Sequence, residues 1–278
     1  MKERVTLTIE KDILEKVDGS VNGADVKNRS HAVELLLTKA FGNNKPSKAI
    51  ILAGGKGTRM KPMTDLLPKP MLRINNKPIL EHNIELLKRH GIKDIVLSIG
   101  YRGEHISEYF GDGSQFGVNI SYVKEETPMG TGGPLNLIKD QINDTFILMN
   151  GDELKDIDLE DMFMFHRKNK GAATLALTTV EDPSAYGVAV MNGHKIRAFI
   201  EKPSKQNAPS KLISAGLYIM EPEVVKMVPE GFCKIENDVF PRLAMNDKLL
   251  GYVFSGQWYD TGTPERFAKA EREWDGLK

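Results

Sequence analysis

Residues 48–59 read Lys-Ala-Ile-Ile-Leu-Ala-Gly-Gly-Lys-Gly-Thr-Arg, an apolar run that passes directly into a glycine-rich, basic loop. The run Lys48–Ala53 fits a strand covered on both faces. Glycines placed just after such a strand let the backbone approach an anion and turn N–H groups towards it. Arg59 adds a permanent charge with fixed donors. In open α/β sheets ligands collect at the carboxyl ends of the strands, which is where this loop falls. Two common phosphate loops are excluded. The GxxxxGK[ST] pattern is missing, and in GxGxxG the third glycine position is taken by Met60. Three glycines alone would fit a tight turn beside an exposed arginine equally well.

Working outwards, Gly42–Ser47 is polar, rich in turn formers and without apolar period, and reads as a linker. Three domain segments are therefore expected: 1–42, a linker at 43–47, and 48–278. In the last, Ile79–His90 spaces Leu80, Ile84 and Leu87 as a helix does, with Pro78 and Gly91 as its punctuation. Asp94–Ile99 and Thr145–Met149 are further buried strands. Strands alternating with helices predict an α/β, Rossmann-like domain with a mostly parallel sheet. Asn192-Gly193, between Gly187–Met191 and Lys195–Ile200, predicts a hairpin and hence added antiparallel strands.

Composition narrows the partners. The 278 residues hold 38 basic and 38 acidic side chains, so nothing global draws the chain to nucleic acid or anionic lipid. The single cysteine, Cys233, allows neither an internal disulfide nor a thiolate zinc site and suits a reducing cytoplasm. No apolar run is long enough to span a bilayer, and the N-terminus lacks the apolar region of a signal peptide, so no membrane association is expected.

The glycine loop continues as Thr58-Arg59-Met60-Lys61-Pro62-Met63-Thr64 and then Pro68-Lys69-Pro70-Met71. Here the chain resembles the sugar-1-phosphate nucleotidyltransferases, whose signature is GGxGTRxxPxT…PKPM. The resemblance runs through nearly all of 48–267, including Glu125–Gly133, Asn150-Gly151-Asp152, Glu201-Lys202-Pro203, Ser214–Tyr218 and Trp258–Pro264. It implies a short form without the left-handed β-helix extension. It also implies the reaction: a nucleoside triphosphate and a sugar 1-phosphate give a nucleoside diphosphate sugar and pyrophosphate.

Bringing two polyanions together requires a divalent cation and fixed positive groups. Mg²⁺ takes oxygen ligands, commonly one or two carboxylates plus phosphates and waters. In the resembled family Asp152, expected at a strand end, and Asp260, expected in a turn, hold that metal. The resemblance assigns Arg59 to the triphosphate, Lys69 to phosphates near the reacting centre and Lys202 to the sugar phosphate. Ala53, Gly54, Gly55, Gly57, Thr58, Glu125, Gly130 and Thr131 would bind the nucleotide. Gly187, Glu201, Ser214 and Gly216 would bind the sugar. Ser214 departs from the asparagine of many relatives, which leaves the sugar open.

The family reads the base partly through the residue three positions before the proline of its P-x-G loop, here Glu125. A carboxylate only accepts hydrogen bonds, which suits the adjacent N1–H and N2 donors of guanine. The stretch from Glu125 to Pro134 also looks most like mannose-1-phosphate and heptose-1-phosphate guanylyltransferases, which implies GTP and a mannose-type sugar. Uridylyl or thymidylyl transfer to a glucose-type 1-phosphate stays open.

In the first 42 residues, Val5, Leu7 and Ile9 alternate with Arg4, Thr6 and Thr8, predicting a half-buried strand. Ile13, Leu14 and Val17 share one helical face. Ser30 is placed to cap a second helix with a stripe of Val33, Leu36, Leu37, Ala40 and Phe41. A strand–helix–helix unit of about 45 residues is too small to bury a core alone. It resembles the ribbon-helix-helix family, with Asn28-Arg29-Ser30 at the entry to the second helix. That resemblance implies a homodimer whose paired strands put Arg4, Thr6 and Thr8 against DNA. Eight basic and seven acidic side chains in residues 1–47 leave DNA binding and pure dimerisation both open.

Two other functions fit parts of the sequence. Asp156-Ile157-Asp158 spells the Asp-x-Asp of metal-dependent glycosyltransferases, but its acids precede a predicted helix, where they suit the N-terminal dipole. A DNA-binding regulator whose second domain senses sugar nucleotide would not need Arg59, Lys69, Asp152, Lys202 and Asp260 together.

Overall fold

Residues 5–9, the part of the predicted first strand that can be described, belong to no strand. A single strand without a partner leaves its backbone groups unpaired, and Val5 and Leu7 are 70% and 56% exposed. The computed structural model describes residues 5–23, 26–41 and 45–278, with the side chains of 38–41 left out. Arg4 and the side chains of Ala40 and Phe41 therefore lie outside the described residues. The chain divides into two units, residues 1–45 and 46–278.

The first unit holds α1 (Lys11–Gly19) and α2 (Arg29–Phe41). The second helix starts two residues earlier than a Ser30 cap predicts and is capped by Asn28. The Asn28 side-chain oxygen accepts from the His31 N–H at 2.9 Å, satisfying a donor that the first helical turn leaves free. Arg29 then forks onto Asp18 at the end of α1, with both N···O distances 2.6 Å. Val17 and Ala32 are buried, whereas Leu36 and Leu37 of the predicted stripe are 44% and 43% exposed.

The second unit runs, in order, through β1 (Lys48–Ala53), β2 (Arg73–Ile74), β3 (Lys77–Pro78), α3 (Ile79–Arg89), β4 (Asp94–Ile99), α4 (Gly103–Phe110), β5 (Asn119–Lys124), α5 (Pro134–Leu137), β6 (Phe146–Asn150) and β7 (Glu153–Lys155). It continues through α6 (Leu159–Asn169), β8 (Ala173–Thr179), β9 (Gly187–Asn192), β10 (Lys195–Glu201), β11 (Leu212–Met220), α7 (Ile235–Asp238), α8 (Phe240–Met245), β12 (Leu249–Val253), β13 (Trp258–Asp260) and α9 (Pro264–Glu273).

Nine strands form one sheet in the order β5-β4-β1-β6-β11-β8-β12-β10-β9. The first four are mutually parallel, as the alternating pattern predicts; β11 then runs antiparallel to β6 and opens a mixed half. The β9–β10 hairpin is present, but Asn192 pairs with Lys195, so the turn residues are Gly193 and His194, one position later than predicted. Gly193, at φ 60°, supplies the left-handed conformation that this turn needs.

Side-chain alternation along β1 feeds two cores. Ala49, Ile51 and Ala53 join one, and Ile50 joins the other, across the sheet. Burying an isoleucine contributes about 1.5–3 kcal/mol, and Ile50 and Ile51 are both 0% exposed. The strand that presents the glycine loop is thus firmly anchored. From β1 the sheet extends to β4 on one side and β6 on the other, so the order reverses beside it. That reversal opens a crevice at the carboxyl ends of β1 and β6, where open α/β sheets bind ligands.

Asp158 lies outside that crevice. It caps α6, accepting from the Glu160 and Asp161 N–H groups at 2.9 and 3.0 Å. The Asp156–Asp158 pattern is therefore accounted for as a helix start.

Candidate active site

The cleft at the reversal point has a volume of about 500 Å³. It gathers every expected site residue of the second unit. Ala53, Gly54, Gly55, Gly57, Thr58, Arg59, Lys69, Glu125, Gly130 and Thr131 line one part, with Asp152 and Asp260, and Gly187, Glu201, Lys202, Ser214 and Gly216 complete it.

The glycine loop is shaped by close packing. A side chain at Gly54 would run into the Glu125 carboxylate. Gly57 has φ 60°, and its carbonyl accepts both the Thr64 hydroxyl and the Met60 N–H at 2.8 Å. These bonds form the short helical turn Thr58–Met60, which buries Met60 and leaves Arg59 directed to the cleft.

Lys69 is only 6% exposed, although lysines are almost never buried without a partner. Its Nζ donates to Asp152 Oδ2 at 2.7 Å. Asp152 sits in the turn between β6 and β7. Burial pushes its carboxyl upwards, but the Lys69 ammonium, helped by Lys155, outweighs that and holds it below the usual carboxylate range. Asp260 is at the end of a strand, not in a turn as predicted. β13 pairs antiparallel with β7, opposing Asp260 to Glu153. The Thr261 hydroxyl also donates to the Asp152 carbonyl at 2.8 Å. This pair of three-residue strands brings together two aspartates 108 positions apart.

Asp260 is richly bonded. Its Oδ1 accepts the Gly262 N–H at 2.7 Å, and its Oδ2 accepts Arg266 at 2.6 Å and the Tyr186 hydroxyl at 3.0 Å. Behind the aspartates, Glu153 accepts Asn150 and Trp258 at 2.9 and 3.3 Å and faces the buried Lys155 ammonium at 3.7 Å. Burial raises the Glu153 carboxyl and lowers the Lys155 ammonium from their ordinary values.

Glu125 is oriented by the Ser98 hydroxyl at 2.8 Å and the Met129 N–H at 3.0 Å, one donor on each oxygen. Each oxygen keeps a second acceptor site. Opposite, Lys202 holds φ 48°, a conformation that costs a non-glycine residue of order 1–3 kcal/mol and gathers at functional sites. Its ammonium lies 3.2 Å from Glu201. Ser214 donates to the Tyr218 hydroxyl at 3.1 Å and accepts the Gly216 N–H at 3.3 Å. Gly187 packs against Phe199 so closely that no larger residue fits.

Sequence reasoning missed several cleft residues: Tyr186, Arg266, Glu153 and Glu236. Tyr186 adjoins Gly187 in sequence and could have been found that way. Glu236 carried no signal. The Thr131 hydroxyl donates to Glu236 and accepts the Ile235 N–H at 3.0 Å, tying the 129–133 loop to α7. Burial raises the Glu236 carboxyl above its ordinary value of 4.5. An acid whose folded value is raised costs stability when ionised, and the cost is absent below the unfolded value. Glu236→Gln keeps an acceptor for Thr131 and removes that cost. Thermal melts should therefore coincide for the two proteins below pH 4.5 and diverge above it, with the variant the more stable.

The sheet reversal, glycine loop and paired aspartates define an α/β domain built to hold phosphates in a charged cleft. The chain belongs to the nucleotidyl transferase family, whose profile matches residues 48–275. It is 39% identical over 230 residues to a mannose-1-phosphate guanylyltransferase of Mycobacterium tuberculosis, covering 81% of this chain and 64% of that protein. It is 40% identical over 226 residues to a mannose-1-phosphate guanyltransferase of Yarrowia lipolytica, covering 79% and 62%. The chain thus spans somewhat less than two thirds of the length of these relatives. Among solved structures, HddC from Yersinia pseudotuberculosis complexed with GMP-PN superposes with a TM-score of 0.70 at 26% identity, covering 82% of this chain and 99% of that one.

Proposed function

We propose that this chain transfers GMP from GTP to mannose 1-phosphate, giving GDP-mannose and pyrophosphate. The observation that carries the reading is the β7–β13 pairing, which places Asp152 and Asp260 with Lys69 at the carboxyl ends of β1 and β6. The relatives named above support the substrates.

Among the described residues, no group of three or more His, Cys, Asp or Glu side chains could cage a metal ion alone. Two carboxylates lining one cleft, Asp152 and Asp260, instead fit Mg²⁺, which completes its shell with substrate oxygens and water. Asp152 and Asp260 would hold it. When bound, it would neutralise phosphate charge and align the reacting groups.

The chain's own residues do the rest. The glycine loop and Arg59 grip the triphosphate, and Arg59 balances charge on the leaving pyrophosphate. Lys202 holds the sugar phosphate, one of whose oxygens attacks the α-phosphorus in line. Lys69, fixed between Pro68 and Pro70, presents its charge without having to reorganise. No enzyme nucleophile is needed, because positioning and charge stabilisation account for catalysis of this kind. Glu201 accepts from sugar hydroxyls. The free acceptor sites of Glu125 take guanine N1–H and the N2 amine. Replacing Glu125 with glutamine should move the kcat/KM ratio of GTP to UTP about 10- to 100-fold towards UTP, the worth of one charged hydrogen bond. Initial rates with both triphosphates test this, and an unchanged ratio would assign base selection to another loop.

We also propose that residues 1–42 are a ribbon-helix-helix module that pairs two chains. Helices α1 and α2 and the Asn28 cap support it. The exposed Val5 and Leu7 would be covered once two segments pair as strands. Thr6 and Thr8, both exposed, would then share the outer face with Arg4, where DNA would be read. Sedimentation of the full chain should give a dimer, and Leu7→Asp should give a monomer. Among the described residues no helix is long and apolar enough to cross a membrane. We also propose that the protein works in the cytoplasm, whose reducing conditions suit a chain with one cysteine, Cys233, buried and free.

A further inference from the structure

Arg266 enters the cleft from the first turn of α9, a position where sequence reasoning placed no functional residue. Its Nη1 lies 2.6 Å from Asp260 Oδ2, and the Tyr186 hydroxyl donates to the same oxygen at 3.0 Å. The guanidinium sits 5.1 Å from the centre of the Tyr186 ring, within cation–π range. Tyr186 in turn meets Trp258 edge to face, with ring centres 5.4 Å apart. The Tyr186 carbonyl accepts the Lys202 N–H at 2.9 Å, so this aromatic platform adjoins the residue assigned to the sugar phosphate.

Both aspartates assigned to the cation are therefore already neutralised, Asp152 by Lys69 and Asp260 by Arg266. The two counterions differ in freedom. The Lys69 side chain is 7% exposed and held between two prolines, whereas that of Arg266 is 35% exposed. A divalent cation drawing on Asp260 competes with the guanidinium for the same carboxylate. Once displaced, the guanidinium retains a full charge on the Tyr186 face. An arginine fork matches a phosphate in two parallel hydrogen bonds.

We propose that Arg266 is a transferable counterion, which neutralises Asp260 in the substrate-free cleft and passes to the phosphate of the sugar 1-phosphate when the cation binds. This inference rests on the assignment of Asp152 and Asp260 as cation ligands. It gives Arg266 two effects of opposite sign. It weakens cation binding to the free protein and strengthens binding of the sugar phosphate. A residue that merely supported the fold would weaken both.

The test uses the full chain with Arg266→Gln and Arg266→Lys. Mn²⁺ binding without substrate is followed by loss of the free-ion EPR signal, and the KM for mannose 1-phosphate is measured at saturating GTP and Mg²⁺. Arg266→Gln should bind Mn²⁺ about fivefold more tightly, the upper range for a partly exposed ion pair. Its KM for the sugar phosphate should rise about tenfold, as for a lost charged hydrogen bond. Arg266→Lys, which keeps the charge but not the fork, should fall between wild type and Arg266→Gln on both measures. Wild-type Mn²⁺ binding with equal or weaker binding in Arg266→Gln overturns the counterion role and leaves the cation site standing. An unchanged KM overturns the transfer to the sugar phosphate. Absence of Mn²⁺ binding by the wild type overturns the proposal together with the cation site.

Discussion

Asp152→Asn should lower the rate of pyrophosphate release from GTP and mannose 1-phosphate about 10³-fold, near the upper end for removal of one preorganised charge-stabilising group. Asparagine keeps the size of the side chain and the Asp152 carbonyl that accepts Thr261. It removes the negative charge that a divalent cation and the buried Lys69 both use. The loss should fall on kcat more than on either KM, because charge develops on the phosphates as the bond breaks. Steady-state kinetics of the variant, beside a circular dichroism spectrum matching wild type, check this. A loss below about tenfold would make Asp152 no more than a peripheral charge.

Arg59→Ala should lower kcat about 10²-fold, and Arg59→Lys should recover part of it. Arg59 stands on the short turn fixed by Gly57 and the buried Met60 and is itself exposed, so little of the fold depends on its side chain. Its expected partner is the leaving pyrophosphate, whose charge grows in the transition state. Its removal should therefore leave the melting temperature within the small range typical of surface substitutions. The reverse reaction, from GDP-mannose and pyrophosphate, adds a second check. There Arg59→Ala should raise the KM for pyrophosphate, an effect that a residue touching only the base would not produce.

Much of the site was legible because the residues that shape it act locally. Lys48–Ala53 is buried on both faces, and its consecutive apolar side chains say so. Gly54, Gly57 and the prolines around Lys69 each impose a backbone constraint visible within a few residues. What escaped depends on distant partners. β7 and β13 hold three residues each, too few to show a period, and their pairing spans more than 100 positions. The glycine and proline that follow Asp260 therefore predict a turn there, where the structure has a strand end. Arg266 and Glu153 gain their meaning only from that pairing. In the first unit, Ser30 looked like the helix cap because both Ser and Asn fit the role. The Asn28 bond to the His31 N–H decided between them. The strand predicted at 4–9 finds no strand partner among the described residues, and in the proposed pairing of two chains the partner strand would come from the second chain.

In the proposed reaction one cleft joins a sugar phosphate to the α-phosphorus of GTP. The most direct test is a coupled pyrophosphate-release assay with the wild-type chain, Mg²⁺, GTP and mannose 1-phosphate, each substrate also being omitted in turn. The expected result is pyrophosphate formed in equal amount to GDP-mannose, only when both substrates are present, and abolished by EDTA. Pyrophosphate or phosphate released from GTP without the sugar, or no release with both, would contradict it.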